Sequence, residues 1–365
     1  LSPDSIKDNG EVMGEFSSPV GTGQWILESY TKDEEFVLKA NPDYWGEKPK
    51  LERIRFKVIK DGQARTMALK NGEVDIIGGD LLGKIPMEDL KDLEASGFNI
   101  KKMDTMCAYF IAFNQTADFA QDVKVRQALN YAIDKQTMVD NLFYGEGKAA
   151  KGLYNSELVP YATEENSPGY EYNLEKAKSL LAEAGYTDSN GNGTLDKDGK
   201  ELELSIMYTT QEFPEFQTMA EYTQSQLQQV GIGLSLNPVD TNAFNEHEMA
   251  ATGYDLIINR TSSDSWLPHG DMKQLFSPLK TANGKAKIWL DDTLVENINS
   301  TLVAKTDDER QAGYDKIFKQ INDQAYVIPM YYPVTTFATS SRVSVLDLGV
   351  NNYAPINWTT LDVKN

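Results

Sequence analysis

Strand-like and helix-like apolar patterns take turns along the whole chain, and that alternation confines it to the α/β class. "EEFVLKANPDYW" and "LERIRFKVI" repeat with period two and are separated by the turn-rich "GEKPK". "DGQARTMALKNGEVDIIGG" then predicts a helix ending at Asn71-Gly72 and a short buried strand. In "DVKVRQALNYAIDKQTMVDNLFYG", Val125, Ala128, Leu129, Ala132, Ile133, Val139, Leu142 and Phe143 form one apolar face, which predicts a single helix stopped by Gly145. "YNLEKAKSLLAEAGY" predicts another, N-capped by Asn173 and closed by Gly185. Strand patterns follow in "ELELSIMYTT", "IGLSLNPVD" and "YDLIINRT", with a helix in "EFQTMAEYTQSQLQQVG" between the first two. A polar helix over 306–324 precedes the aromatic, β-branched "AYVIPMYYPVTTFATSSRV".

At 365 residues the chain is too long for one ordinary domain, so two lobes are expected. No repeat, low-complexity tract or flexible linker separates them, so the chain is expected to cross at strand-like hinges. The net charge of −20 argues against nucleic acid as a partner and disfavours an anionic membrane surface. The single cysteine, Cys107, rules out an internal disulfide and a thiolate metal cluster; within "MCAYFIAF" it reads as a core residue. No apolar run approaches the roughly 18 residues of a spanning helix. The opening "LSPDSIKDNG" has neither an initiator Met nor a signal peptide, and reads as the start of a processed, designed or partial chain.

Enzyme signatures fail. No G-x-S-x-G elbow or Walker loop is present, and "GTG" at 21–23 suits a tight turn better than a phosphate cradle. His247-Glu248 lacks the second histidine of a zincin, because Ala251 stands there. With only His247 and His269, a Ser-His-Asp triad or three-histidine metal centre is not expected, and the chain is read as a non-enzyme with no cofactor.

The stretch "TDSNGNGTLDKDGKEL" puts Asp188, Asn190, Asn192, Gly193, Thr194 and Asp196 where an EF-hand loop has positions 1, 3, 5, 6, 7 and 9. Gly199 occupies position 12, where a bidentate glutamate belongs, and no exit helix follows. Two readings stand: a structural calcium site on Asp188, Asn190, Asn192, Thr194 and Asp196, or a metal-free hairpin turn dense in Asx and Gly. In either reading the loop is structural.

"SPVGTGQWILESY", "LKANPDYWGEKPKLERIRFKVI", "NGEVDII", "FNQTADFAQDVKVRQALNYAIDKQTMVDNLFYGEGKAAKGLY" and "EKAKSLLAEAGY" together resemble the extracytoplasmic solute-binding proteins of dipeptide, oligopeptide and nickel ABC importers. The resemblance runs essentially end to end. "NRTSSDSWLPHGDM", "VIPMYYPVTTFATSSRV" and "NNYAPI" are most similar to the nickel-type branch. It implies an α/β, two-lobed, type II periplasmic-binding-protein fold that closes on its ligand like a hinge, and a partner permease in the membrane. Crossing strands near 109–115 and 326–332 would give one lobe of 1–112 with 328–365 and another of 113–327. Family chains carry a long portion before "SPVGTG", so the first lobe is expected to be incomplete. A monomer, periplasmic or anchored at the cell surface as a lipoprotein, is implied.

Loops after strands carry specificity in such sites. The nickel-branch pattern resembles R-T-W-G-x-P-Y-D-P-H, which Arg260, Thr261, Pro268 and His269 match, with Trp266 at the tyrosine position and Ser262 replacing the tryptophan. In the peptide branch an aspartate four residues before this proline pairs with an α-ammonium group, and Asp264 stands there. Ligand contacts are therefore expected from Arg260, Ser262, Asp264, Trp266, His269 and, by strand alternation against Tyr332, Tyr331. Structural alternatives stand beside them: Trp266 packing its lobe, His269 bonding backbone, and Arg260 pairing with Asp255 or Asp264. The ligand expected is nickel as a small organic chelate, with a dipeptide or oligopeptide as the alternative. A sensory or chaperone-like peptide binder is the reading outside transport.

Overall fold

The structure is a computed structural model describing residues 21–79, 83–211, 213–262, 268–279, 284–349 and 354–364. It falls into two compact units, Leu1–Met103 with Thr335–Asn365, and Asp104–Val334.

The smaller unit opens with an antiparallel meander of β1 (Trp25–Thr31), β2 (Glu35–Ala40) and β3 (Arg53–Lys57). Then come α1 (Gly62–Lys70), β4 (Ile76–Gly79), α2 (Leu90–Ala95) and β5 (Asn99–Asp104). Asp61 caps α1 by accepting from the Ala64 amide, and Gly72, at φ +73°, ends it after Asn71, as the Asn-Gly pair predicts.

The larger unit continues in chain order with β6 (Tyr109–Phe113), α3 (Asp118–Gln121), α4 (Val123–Ala132), α5 (Lys135–Leu142), β7 (Lys148–Ala149) and α6 (Leu174–Glu183). A small hairpin, β8 (Asp196–Lys197) and β9 (Lys200–Glu201), leads to β10 (Glu203–Tyr208), α7 (Glu215–Gln228), β11 (Gly233–Pro238), α8 (Thr241–Ala250) and β12 (Leu256–Arg260). Three helices, α9 (His269–Phe276), α10 (Asp292–Leu302) and α11 (Asp307–Asp323), precede β13 (Val327–Tyr332). The chain then runs through β14 (Val334–Thr339), β15 (Val343–Val345) and β16 (Asp362–Val363) of the smaller unit. There β14 lies between β4 and β5, and Gly78 is obligatory, since a Cβ on it would sit 2.2 Å from the Thr336 carbonyl oxygen.

Six strands in the order β11-β10-β12-β6-β13-β7 form the sheet of the larger unit. β10 runs parallel to β11 and β12, whereas β6 is antiparallel to β12 and β13. Every residue of β6 and β13 is buried, the signature of central strands covered on both faces. The strands expected to cross between lobes are thus neighbours inside one unit, Ile111 opposite Ile328. The divisions expected at 112/113 and 327/328 would cut that ladder, so the units part at 103/104 and 334/335 instead.

The helix expected from 122 to 145 is two helices. Asp134 accepts from the Thr137 amide and hydroxyl and starts α5, while Ile133 at ψ 116° leaves the helical region. One apolar face survives the break because both helices bury it. Asn173 caps α6 and Gly185, at φ +90°, follows its end, and α6 packs on α4 through Ala177, Leu180 and Leu181. Thr306 and Glu309 form a capping box at α11. Cys107 is buried, its thiol donating to the Thr261 carbonyl at 3.2 Å.

Candidate functional site

In α/β sheets ligands gather where the carboxyl ends of parallel strands open into loops. In the larger unit β10, β12 and β13 all run toward the edge where β6 begins. Arg260, the last residue of β12, is the register partner of Tyr109, the first of β6, and Tyr109 is also paired with Tyr331 of β13. Directly opposed residues share a sheet face, so Arg260, Tyr109 and Tyr331 make one cross-strand row.

Aromatic rings build up around that row. Phe213 and Phe216, at the start of α7, stack at 4.9 Å, and Tyr109 meets both edge-on, at 5.9 Å and 5.1 Å. Tyr109 lies 5.7 Å from Tyr331, which packs against Phe143 at 4.7 Å. The Arg260 guanidinium carbon is 5.1 Å from the Phe213 ring centre, a cation–π arrangement at a half-buried position. The Tyr109 hydroxyl donates to Oε1 of Glu215 at 3.0 Å, with Glu215 itself buried.

Asp255 anchors the far end of β12 by accepting from the Ser205 amide and hydroxyl, both at 2.8 Å. Its carboxylate thus serves strand pairing, and Arg260 is held over Phe213.

The chain returns from β12 to α9 through a second arrangement. Asp271, in the first turn of α9, accepts from the Ser262 amide and hydroxyl on Oδ1 and from the Tyr154 hydroxyl on Oδ2, each at 3.0 Å. Burial raises the Asp271 pKa above the ordinary carboxyl range despite these bonds. His269, half-buried at the start of the same helix, has its pKa lowered by burial and then by the Lys273 charge. A neutral imidazole is an acceptor or a ligand donor. Asp264 and Trp266 lie outside the described residues.

Residues 2–283 match the bacterial extracellular solute-binding proteins, family 5 Middle. The chain belongs to this family. It is 28% identical over 358 residues to a nickel-binding periplasmic protein of Escherichia coli, covering 98% of this chain and 66% of that protein. It is also 28% identical over 321 residues to the oligopeptide-binding protein AppA of Bacillus subtilis, covering 86% of this chain and 57% of that one. The chain thus spans less than two thirds of either relative. Among solved structures, NikA from Brucella suis in complex with Fe(III)-EDTA superposes with a TM-score of 0.89 at 27% identity, over 100% of this chain and 72% of that one. The fold is the two-lobed α/β architecture of type II periplasmic binding proteins, and the family is one of extracellular solute-binding receptors. Among the described residues no helix is long and apolar enough to cross a membrane.

Alternation was expected to send one of Tyr331 and Tyr332 to the core and the other to ligand, but both are buried. Side chains cover both rings: Tyr331 packs between Tyr109 and Phe143 and its hydroxyl donates to the Glu146 carbonyl at 2.7 Å, while Tyr332 packs on Ala108 and Ala150 and donates to the Gly152 carbonyl at 2.7 Å. Tyr331 stands in the row beside Tyr109, its pKa driven far up by burial and by the nearby Glu215 and Glu146 carboxylates. Tyr109, Phe213, Glu215, Phe216, Asp271 and Tyr154 escaped the sequence reading. "EFPEF" offered a faint signal, two aromatics and two carboxylates just after a strand; Tyr109 offered none, inside an apolar run.

The loop after α6 is a hairpin turn in form. Asp188 accepts from the amides of Gly191 and Asn192 on Oδ1 and of Gly193 on Oδ2, and Asp196 accepts from the Ser189 amide. Thr194 donates its amide to Asn192 Oδ1, and the side-chain amides of Asn190 and Asn192 both donate to Glu201. Asp198 and Gly199, both at positive φ, close β8 onto β9 as a two-residue turn. No group of three or more His, Cys, Asp or Glu side chains among the described residues is arranged to hold a metal ion.

Proposed function

We propose that this chain is the solute-binding receptor of an ABC importer, capturing nickel as a small organic chelate outside the cytoplasm and handing it to a membrane permease. The observation that carries this reading is the Arg260 guanidinium set over Phe213 at the carboxyl end of the larger sheet. A planar, permanently charged guanidinium beside aromatic rings suits the carboxylates of a chelated metal, whereas a bare ion needs several donors of its own. The sequence holds two histidines and one cysteine, too few for such a cage. The nickel-binding relative and the Fe(III)-EDTA complex of NikA support the same ligand chemistry. We read the protein as an extracytoplasmic monomer that binds without turnover, with neither nucleic acid nor a resident cofactor, and the 188–201 loop as a metal-free turn.

A short peptide is the second reading. Asp264, four residues before Pro268, and the oligopeptide-binding relative favour it.

Isothermal calorimetry separates the two, titrating the full chain with nickel alone, nickel with excess histidine, and a dipeptide mixture. Heat only with nickel–histidine, lost in Arg260→Ala, is the expected result. Heat with the dipeptides, abolished by Asp264→Ala, would overturn the nickel reading. Dipeptides incubated with the protein should be recovered uncleaved.

A further inference from the structure

Among the described residues three asparagines directly precede a glycine: Asn71, Asn190 and Asn192. Such a step is chemically fragile. The glycine amide nitrogen, once deprotonated, attacks the asparagine side-chain carbonyl carbon, because no Cβ on the glycine obstructs ring closure. The new C–N bond closes a succinimide and the side-chain nitrogen leaves as ammonia. Water then opens the ring to aspartate or isoaspartate.

Two of the three steps stand in tandem in the loop between α6 and β8. Gly191 and Gly193 have φ of +75° and +90°, so the backbone itself calls for glycine at both positions. Both are exposed, and a Cβ on either would meet nothing within 4 Å, so no packing shields these steps. One carboxylate holds both nucleophiles. The Gly191 amide donates to Oδ1 of Asp188 at 2.7 Å, and the Gly193 amide to Oδ2 at 3.0 Å. Loss of either proton would set an amide anion against the carboxylate. The electrophiles are held separately. The Asn190 and Asn192 side-chain amides donate to Oε1 of Glu201, at 3.2 Å and 2.7 Å. Their oxygens accept from the backbone amides two residues on, those of Asn192 and Thr194. At Asn71, by contrast, the Gly72 amide donates to the Leu69 carbonyl at 3.0 Å, so that step depends on the end of α1 and not on Asp188.

We propose that Asn190 and Asn192 form a spontaneous modification site whose deamidation Asp188 restrains. An engaged amide reacts only in the fraction of molecules in which its bond is open, so a bond to a charged acceptor slows the step about tenfold. Each conversion adds a negative charge beside Asp188 and Glu201, and isoaspartate also lengthens the backbone by a methylene. Asp188→Asn separates the two steps: its side-chain oxygen still accepts, but its NH2 group cannot, so only one glycine amide keeps its partner.

The test incubates the full chain in warm, mildly alkaline buffer and reads each asparagine by digestion and mass spectrometry. Wild type, Asp188→Ala and Asp188→Asn are compared with wild type unfolded in guanidinium, and Asn71 serves as the reference within every molecule. In folded wild type Asn190 and Asn192 should deamidate about tenfold more slowly than in the unfolded chain. Asp188→Ala should speed both by about tenfold and leave Asn71 unchanged. In Asp188→Asn one of the two should quicken while the other stays slow. Equal rates in wild type and Asp188→Ala would overturn the proposal, as would folded wild type reacting as fast as the unfolded chain. Acceleration of Asn71 in step with the loop would trace the effect to unfolding of the whole chain and overturn it too. Should Asp188→Ala fail to fold, Asp188→Asn decides alone: a quickened asparagine in the loop upholds the restraint, and unchanged rates remove it.

Discussion

The guanidinium of Arg260 and the ring of Phe213 lie 5.1 Å apart although 47 positions separate them in the chain (260 − 213), because β12 and the start of α7 end at the same sheet edge. An arginine held over a ring has already lost much of its rotamer freedom, so it meets a carboxylate at little further entropic cost.

Arg260→Ala should therefore weaken ligand binding by on the order of 10- to 100-fold, the worth of one or two charge-assisted bonds. Arg260→Lys should recover only part, since a point charge cannot engage a carboxylate bidentately. Calorimetric dissociation constants for the three proteins decide it; equal values would remove Arg260 from the site.

Tyr109→Phe deletes the hydroxyl that donates to the buried Glu215 carboxylate. The ring stack stays, so the change isolates one hydrogen bond to a charged group, at about 1.5–3 kcal/mol of stability. A lower urea midpoint at an unchanged slope is the expected signature. No shift would show that the bond contributes nothing net.

Lys135 is buried at the start of α5, its ammonium donating to the Ala150 carbonyl at 3.3 Å, and burial pushes its pKa down to about 8. Between pH 8 and the ordinary lysine value near 10.5 the unfolded chain binds the extra proton. Stability should therefore rise with pH across that window. Below pH 8 the folded state carries the full cost of the buried charge, on the order of 3 kcal/mol. Lys135→Met should be more stable than wild type at pH 7, by roughly 1–3 kcal/mol once the lost hydrogen bond is set against the gain, and should flatten the rise. Urea melts at pH 7 and pH 10 measure both, and a variant less stable at pH 7 contradicts it.

Calcium at about 1 mM should leave the thermal midpoint where EGTA puts it, because a site weaker than that adds less than about 0.4 kcal/mol. Both Asp188 oxygens already accept backbone amides, and the Asn190 and Asn192 side chains turn their amide groups toward Glu201. A rise of several degrees with calcium would revive the metal reading of the loop.

Elements with local causes were legible in the sequence. Asn71-Gly72, Asn173 and Gly185 sit at helix ends where capping and positive-φ rules put them, and the strands Glu203–Tyr208, Gly233–Pro238 and Leu256–Arg260 follow their apolar patterns. The break at Ile133-Asp134 was not, because both helices bury the same face and the stripe runs on through it. At the candidate site Arg260 and His269 were reached through resemblance, not periodicity, while Asp271 was overlooked because an acid in a helix's first turn has an ordinary local explanation.

By itself the sequence determined the fold class, the helix caps, the acidic net charge, and membership of a receptor family. These follow from short-range periodicity, side-chain chemistry near the backbone and total charge, all of which survive in a linear string. Only the tertiary structure decided that Tyr331 is a buried support, that Tyr109 joins Arg260 and Tyr331 in one row, and that Asp271 holds Ser262. Strand order and register are set by which apolar faces pack together across more than a hundred residues, and no local pattern carries that information.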